Sequence, residues 1–176
     1  MRRFLIPALA VLSGAVFAPS HLISPSLAAG SAVTGRASVV DGDTIDLHGE
    51  RIRLDGIDAP ESWQTCQDGN GKAYRCGKAA ADALDQFLAA SRPTACTVSG
   101  SDRYGRFIAR CRRADGMSVN AWMVRNGWAL DWRKYSKGAF DADEAAARKT
   151  NRGIWQGKFE EPCVARAKRA KREPAC

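Results

Sequence analysis

The sequence predicts an α+β domain that is mainly β: a small closed barrel of short strands with helices packed against it. Three observations carry that prediction. Strand-length runs with period-two alternation are punctuated by Gly and Asp. Two of the runs read as hairpins, and helical periodicity is confined to three stretches. The order is strand, hairpin, helix, hairpin, two helices, in a chain of 176 residues, enough for one domain with a real core.

Residues 1–28 read as a signal peptide. Arg2 and Arg3 precede an apolar run from Phe4 to Phe17, and Ser26, Leu27, Ala28 and Ala29 are small enough for a cleavage site near Ala28. The run is short for a membrane span and is interrupted by Gly14, Pro19 and Pro25, so cleavage is preferred over anchoring. A secreted or periplasmic protein with no membrane attachment in its mature form is expected. Losing Arg2 and Arg3 from a formal charge of +8 leaves +6. That favours anionic partners, nucleic acid above all. The mature chain divides into a domain over 29–160 and a basic tail over 161–176.

Ser31–Val40 reads as the first strand, ending at Asp41, Gly42 and Asp43. The stretch TIDLHGERIRL then alternates. A type II′ turn at Gly49-Glu50 sets Ile45 opposite Leu54 and Leu47 opposite Ile52, with Asp46 and Arg53 on the other face. CQDGNGKAYRC is a polar loop without periodicity. A helix over 77–90 carries the apolar stripe Ala80, Leu84, Phe87 and Leu88, and Pro93 blocks its continuation. TACTVSGSDRYGRFIARC is a second hairpin centred near Arg103 and Tyr104. Ser118 caps a second helix that ends at Gly127, and Asp141 caps a third that ends before Gly153. The tail after Pro162 carries Arg166, Lys168, Arg169, Lys171 and Arg172 and reads as a solvated arm that adds sequence-independent affinity for a polyanion.

All six cysteines lie in the mature part, without a CxxC pair and with His48 as the one histidine there. Disulfides are therefore expected in place of a zinc site. Cys66–Cys76 closes the polar loop. Cys96 and Cys111 are equidistant from the second hairpin's centre and can lie opposite each other. Cys163–Cys176 is the remaining pair.

The chemistry concentrates in VVDGDTIDLHGERIRLDGIDAPE. With histidine scarce, phosphodiester hydrolysis needs oxygen ligands for a hard cation, a carboxylate to take or steer a proton from water, and forked guanidinium groups for the phosphate. Asp43, Asp58, Glu61 and Arg53 supply four of those parts, and Arg106 in DRYGR is the natural fifth. Strict alternation puts Asp43 and Arg53 on opposite faces, so a bend or bulge near Gly42 or Gly56 has to re-aim one of them.

DGDT, RIRLDGIDAPE, DRYGR, SVNAWMVRNGWA and RGIW, in that order, resemble the staphylococcal nuclease (thermonuclease) family over roughly Gly35 to Trp155. The resemblance implies a five-stranded barrel of the oligonucleotide-binding (OB) kind with about three packed helices. It implies Ca²⁺ held by Asp43, Asp58 and the Ala59 carbonyl, with Glu61 activating or orienting the attacking water. Arg53 and Arg106 would bind the phosphate and stabilise the transition state. Arg103, Tyr104 and, less closely matched, Tyr135 would line the substrate groove. It implies cleavage of DNA and RNA at the 5′-oxygen, leaving 3′-phosphate ends, by a monomer. The alternative is a non-catalytic nucleic-acid-binding module on the same barrel; the acids weigh against it, because uncompensated acids repel a phosphate. Other residues read as structural: Asp41 as support for the site, Asp55 as a turn residue, Arg51 as a solvated strand residue, Asn120 and Arg125 as helix residues, and Trp122, Trp128 and Trp155 as core.

Overall fold

The computed structural model describes residues 29–176, so the signal-peptide reading falls outside the described residues. The first strand-like run is two strands, β1 (Ala32–Gly35) and β2 (Ser38–Asp41). β3 (Thr44–Leu47) and β4 (Glu50–Leu54) form the first hairpin, and the two-residue β5 (Ile57–Asp58) follows. β6 (Cys66–Gln67) and β7 (Ala73–Tyr74) pair inside the loop expected to lack structure. Then come α1 (Cys76–Ala89), β8 (Thr94–Ser101), β9 (Phe107–Arg113), α2 (Val119–Arg125) and β10 (Leu130–Asp131). The chain continues with α3 (Arg133–Ser136), α4 (Asp141–Lys149), a 3₁₀ turn at Gly153–Gln156 and α5 (Pro162–Arg169). No helix among the described residues is long and apolar enough to cross a membrane.

The main sheet runs β1-β8-β9-β4-β3-β2. Its pairings are antiparallel except for β4 against β9, which is parallel. The first run is thus shared between two partners: β1 pairs with β8 and β2 with β3, so the ends of the strand order are joined by Arg36 and Ala37. Counting β1 and β2 as one run returns the five strands of the expected barrel. α1, α2 and α4 are the three expected helices; α3 and α5 are additional.

The β3–β4 hairpin turns at His48-Gly49, not at Gly49-Glu50. Both residues have positive φ, 57° and 88°, which makes the turn type I′. Ile45 therefore faces Ile52, and Leu47 faces Glu50. The slip is of two positions, so each residue keeps its face. Its cause is tertiary. The His48 ring lies against β1, with Nε2 3.1 Å from the Thr34 carbonyl oxygen, and a Cβ on Gly35 would stand 2.4 Å from that nitrogen. Contact with β1 accompanies the left-handed conformation of His48, one of the few non-glycine residue types enriched there.

Ile45, Leu47, Ile52, Leu54, Val98 and Ala109 point into the core, where Ala80, Leu84 and Leu88 of α1 meet them. Each fully buried branched side chain contributes about 1.5–3 kcal/mol relative to exposure. Phe87 stacks on Trp122 with ring centroids 4.1 Å apart, which ties α1 to α2. Asn120 is buried; its Oδ1 accepts from the Cys111 N–H at 3.0 Å, and its Nδ2 donates to the Asp55 carbonyl at 2.9 Å. A second cluster gathers Cys66, Cys76, Leu130 and Ile154, with Trp155 and Phe159 against it. The cysteines are bonded Cys66–Cys76, Cys96–Cys111 and Cys163–Cys176, and Cys96 and Cys111 are register partners.

Ser118 caps α2, its side chain accepting from the Ala121 N–H. Asp141 does not cap α4. It is the first helical residue, after Phe140, and its charge joins Asp143 and Glu144 in the first turn, where the helix dipole favours acids. The basic tail is only in part a solvated arm: Lys168, Arg169, Lys171 and Arg172 are exposed, but its first half is a packed helix that carries Arg166. Pro162 opens α5 at a position where its missing N–H costs nothing, and Cys163, Ala165 and Ala167 are buried.

Candidate active site

β2 ends in a turn at Gly42 and Asp43, and the β2–β3 ladder shifts register between Val39 and Asp41. Asp43 lies in that turn, ahead of β3, so strand alternation does not govern it. Gly42 is needed there: a Cβ would come within 2.8 Å of the Ala59 Cβ and 3.0 Å of the Ala80 Cβ. Thr44 and Arg53 are register partners and share a face, and Arg53 forms an ion pair with Asp43. The apparent conflict between Asp43 and Arg53 is therefore resolved at Gly42.

Asp58 ends β5, which pairs with β10. Asp43 and Asp58 are 5% and 2% exposed, a degree of burial that carboxylates tolerate only when paired. Arg53 bridges them, with Nη2 3.2 Å from Asp58 Oδ1. Asp43 Oδ2 also accepts the Ala59 N–H at 3.1 Å, which fixes Ala59 against the carboxylate pair. Glu61 follows Pro60 in a loop held from two sides. Its N–H donates to Gln64 Oε1 at 3.0 Å, and its carbonyl lies where a Cβ on Gly77, at the start of α1, would be 1.8 Å away. Gln64 Nε2 donates to the Glu160 carbonyl at 2.7 Å, linking this loop to the segment just before α5.

Arg106 stands at the tip of the β8–β9 hairpin. Its Nε and Nη2 donate to Asp102 Oδ2 at 2.8 and 2.7 Å, and Nη1 reaches Thr44 Oγ1 at 3.4 Å. Tyr104 is exposed, with Arg103 and Arg106 near its ring face. Tyr135 is exposed too and packs edge-on against Trp132 at 4.5 Å. These groups line one open groove of about 1100 Å³ that also contains Asp41, Asp43, Arg53 and Glu61. Asp41 accepts the Gly42 N–H at 2.8 Å. Asp55 takes Arg110 and Arg51 lies by Asp46 on the surface, both outside the acid cluster.

One member of the site was missed in the sequence. Arg166 of α5 reaches into the acids: Nη1 is 2.7 Å from both Asp58 Oδ1 and Glu61 Oε1, and Nη2 is 2.9 Å from Asp58 Oδ2. The signals that could have found it are Pro162 at a helix start and the small apolar residues spaced through the tail.

Three carboxylates, Asp43, Asp58 and Glu61, thus share two guanidinium groups, Arg53 and Arg166. Asp41 lines the same groove as Asp43 and Glu61. Burial pushes the Asp58 carboxyl up, against the hydrogen bonds and charge of Arg166 and the charge of Arg53. Burial, then repulsion from Asp43 and Glu61, pushes Asp41 up to about 6 despite the Gly42 N–H that lowers it. A set of hard oxygen donors without imidazole or thiolate, short of positive charge, fits a hard divalent cation.

A sequence model for the family described as "Staphylococcal nuclease homologue" matches residues 51–157. The chain is 47% identical to the "Succinoglycan biosynthesis protein ExoI" of Rhizobium meliloti over 93% of this chain and 85% of that protein. It is 34% identical to an "Uncharacterized endonuclease" of Escherichia coli O157:H7 over 66% of this chain and 72% of that protein. It is 34% identical to "Endonuclease YhcR" of Bacillus subtilis over 66% of this chain, a match that spans 11% of that much longer protein.

Proposed function

The chain belongs to the staphylococcal nuclease family, and from that premise we propose that it is an exported, Ca²⁺-dependent, sugar-nonspecific nuclease. It hydrolyses phosphodiester bonds of DNA and RNA at the 5′-oxygen and leaves 3′-phosphate ends. The observation that carries this reading is the buried pair Asp43 and Asp58, bridged by Arg53 and joined to Glu61 through Arg166, beside a groove that Arg53 and Arg106 line. A binder of polyanions gains nothing from buried acids beside its phosphate site; a hydrolase needs them.

Asp43, Asp58 and the Ala59 carbonyl are the residues that would hold the cation, which when bound supplies Lewis-acid polarisation of a phosphoryl oxygen. Glu61 takes or steers the proton of the attacking water as the new P–O bond forms and the bond to the 5′-oxygen breaks. Arg53 and Arg106 meet the charge that builds on the phosphoryl oxygens. Asp102 keeps Arg106 turned toward the groove. Arg103, Tyr104 and Tyr135 lie along the strand's path, where a basic group and two exposed rings suit a backbone and its bases. Export is supported by the complete pairing of the six cysteines, which an oxidising compartment maintains.

The test is direct. The mature protein, with its disulfides intact, is incubated with plasmid DNA and with RNA in Ca²⁺ or in chelator, and the ends of the products are mapped. Cleavage of both polymers in Ca²⁺ alone, with 3′-phosphate ends, is expected. Intact binding without cleavage in Ca²⁺ would return the protein to the class of binding modules.

A further inference from the structure

We propose that Arg166 is the built-in counter-cation of this site: its guanidinium holds Asp58 and Glu61 when no metal is bound and gives way to a divalent cation. Arg166 thereby sets how much cation the protein needs. The proposal rests on the preceding reading of Asp58 as a cation ligand.

The geometry is that of a forked ion pair. Both nitrogens of the fork meet both oxygens of Asp58, at 2.7 and 2.9 Å, and Nη1 also meets Glu61 at 2.7 Å. Asp58 Oδ1 receives Arg53 Nη2 as well. Asp58 therefore has little lone-pair capacity left for a metal while Arg166 stays. Guanidinium and cation compete for the same oxygens.

Arg166 is not a surface side chain that wandered in. Its side chain is 25% exposed and its guanidinium carbon lies 5.3 Å from the centroid of the Trp132 ring. Its helix is fixed by buried Ala165 and Ala167 and by the Cys163–Cys176 bond one turn away. The contact from Gln64 to the Glu160 carbonyl joins the Glu61 loop to the segment leading into that helix. The backbone is thus anchored while the head group sits on a flexible stem. Yielding to a cation requires side-chain rotation into the open groove, not loss of the helix.

Without Arg166, Asp43 and Asp58 would have Arg53 as their one guanidinium partner and Glu61 would have none, among the described residues. The benefit is a protein that does not hold a cluster of uncompensated buried acids before it meets its metal. The cost is a weakened apparent metal affinity, reduced by the fraction of time Arg166 leaves the site free.

The experiment is Ca²⁺ titration by calorimetry of the mature, oxidised wild type and Arg166→Gln, alongside thermal unfolding of both in chelator and in saturating Ca²⁺. Arg166→Gln is expected to bind Ca²⁺ about tenfold more tightly or better. It is expected to melt lower than wild type in chelator and to gain more from added Ca²⁺. Arg166→Lys, which keeps the charge but cannot fork across two carboxylates, falls between the two; should Arg166→Gln not fold without cation, Arg166→Lys carries the test. Equal or weaker binding in the variants overturns the proposal while leaving the cation site in place. Absence of Ca²⁺ binding in wild type and variants alike defeats the cation reading itself.

Discussion

Thr44 and Arg53 face each other across the β3–β4 hairpin, and their shared face is the floor of the groove. From there Arg53 reaches back to Asp43 and forward to Asp58, while Thr44 meets Arg106. One cross-strand pair thus gathers Asp43, Asp58 and the two arginines proposed to bind the phosphate. Arg53→Lys retains charge but loses the fork. Turnover is expected to fall by about 10²–10³-fold, the usual effect of removing one preorganised donor. Steady-state cleavage of a defined oligonucleotide measures it.

The Glu61 backbone is placed by Gln64 and by the close approach of Gly77, and its carboxylate is held by Arg166. Glu61→Gln is nearly the same size and leaves the backbone supports alone. Cleavage is expected to drop by about 10²–10⁴-fold while circular dichroism is unchanged. Near-wild-type activity would remove Glu61 from the proton-handling role.

Gly77→Ala tests the same placement through the backbone. The new methyl would sit 1.8 Å from the Glu61 carbonyl oxygen, so the loop or the start of α1 must move. A loss of about 1–3 kcal/mol in stability is expected, the range for overpacked sites. Urea unfolding gives the stability change, and activity measured well below the new melting temperature is expected to fall as well.

Asp102 gives a pH signature. Burial pushes its carboxyl up, but the Arg106 side chain and the Arg106 and Tyr104 N–H groups outweigh that and hold it below the usual carboxylate range. A lowered folded pKa contributes stability above the unfolded pKa, and that contribution is lost as pH falls through the folded one. Carboxyl NMR titration is expected to show Asp102 protonating at lower pH than a free aspartate. Asp102→Asn is expected to remove that contribution, which is present above the unfolded pKa, and to weaken substrate binding by loosening Arg106.

What could be read in advance was what local pattern decides. The alternation of Ile45, Leu47, Ile52 and Leu54 gave the core face of the first hairpin. The symmetry of Cys96 and Cys111 about Arg103 and Tyr104 gave the second hairpin's register, which the Cys96–Cys111 pairing matches. Long-range contact decided the rest. The turn at His48 depends on β1, and the split of the first run depends on β8, which lies far along the chain. Arg166 sits 105 residues from Glu61, in a segment whose positive charge reads as solvated until its helix is placed. The acids were legible as a group because the turns that present them are short; Arg166 was not, because Pro162 and the spaced alanines mark its helix without saying where that helix packs.

The split of the first run also sets a timetable. β2 needs only β3, a few residues downstream, but Ala32–Gly35 must wait for Thr94–Thr97. The parallel pairing of β4 with β9 is equally delayed. As the chain emerges, β1, the first of the described strands, is among the last of them to find its partner, and until then its unpaired edge is open to other chains. The β2–β3–β4 hairpins can pair as they appear, while β1 waits for β8. That interval exposes β1 to misassociation.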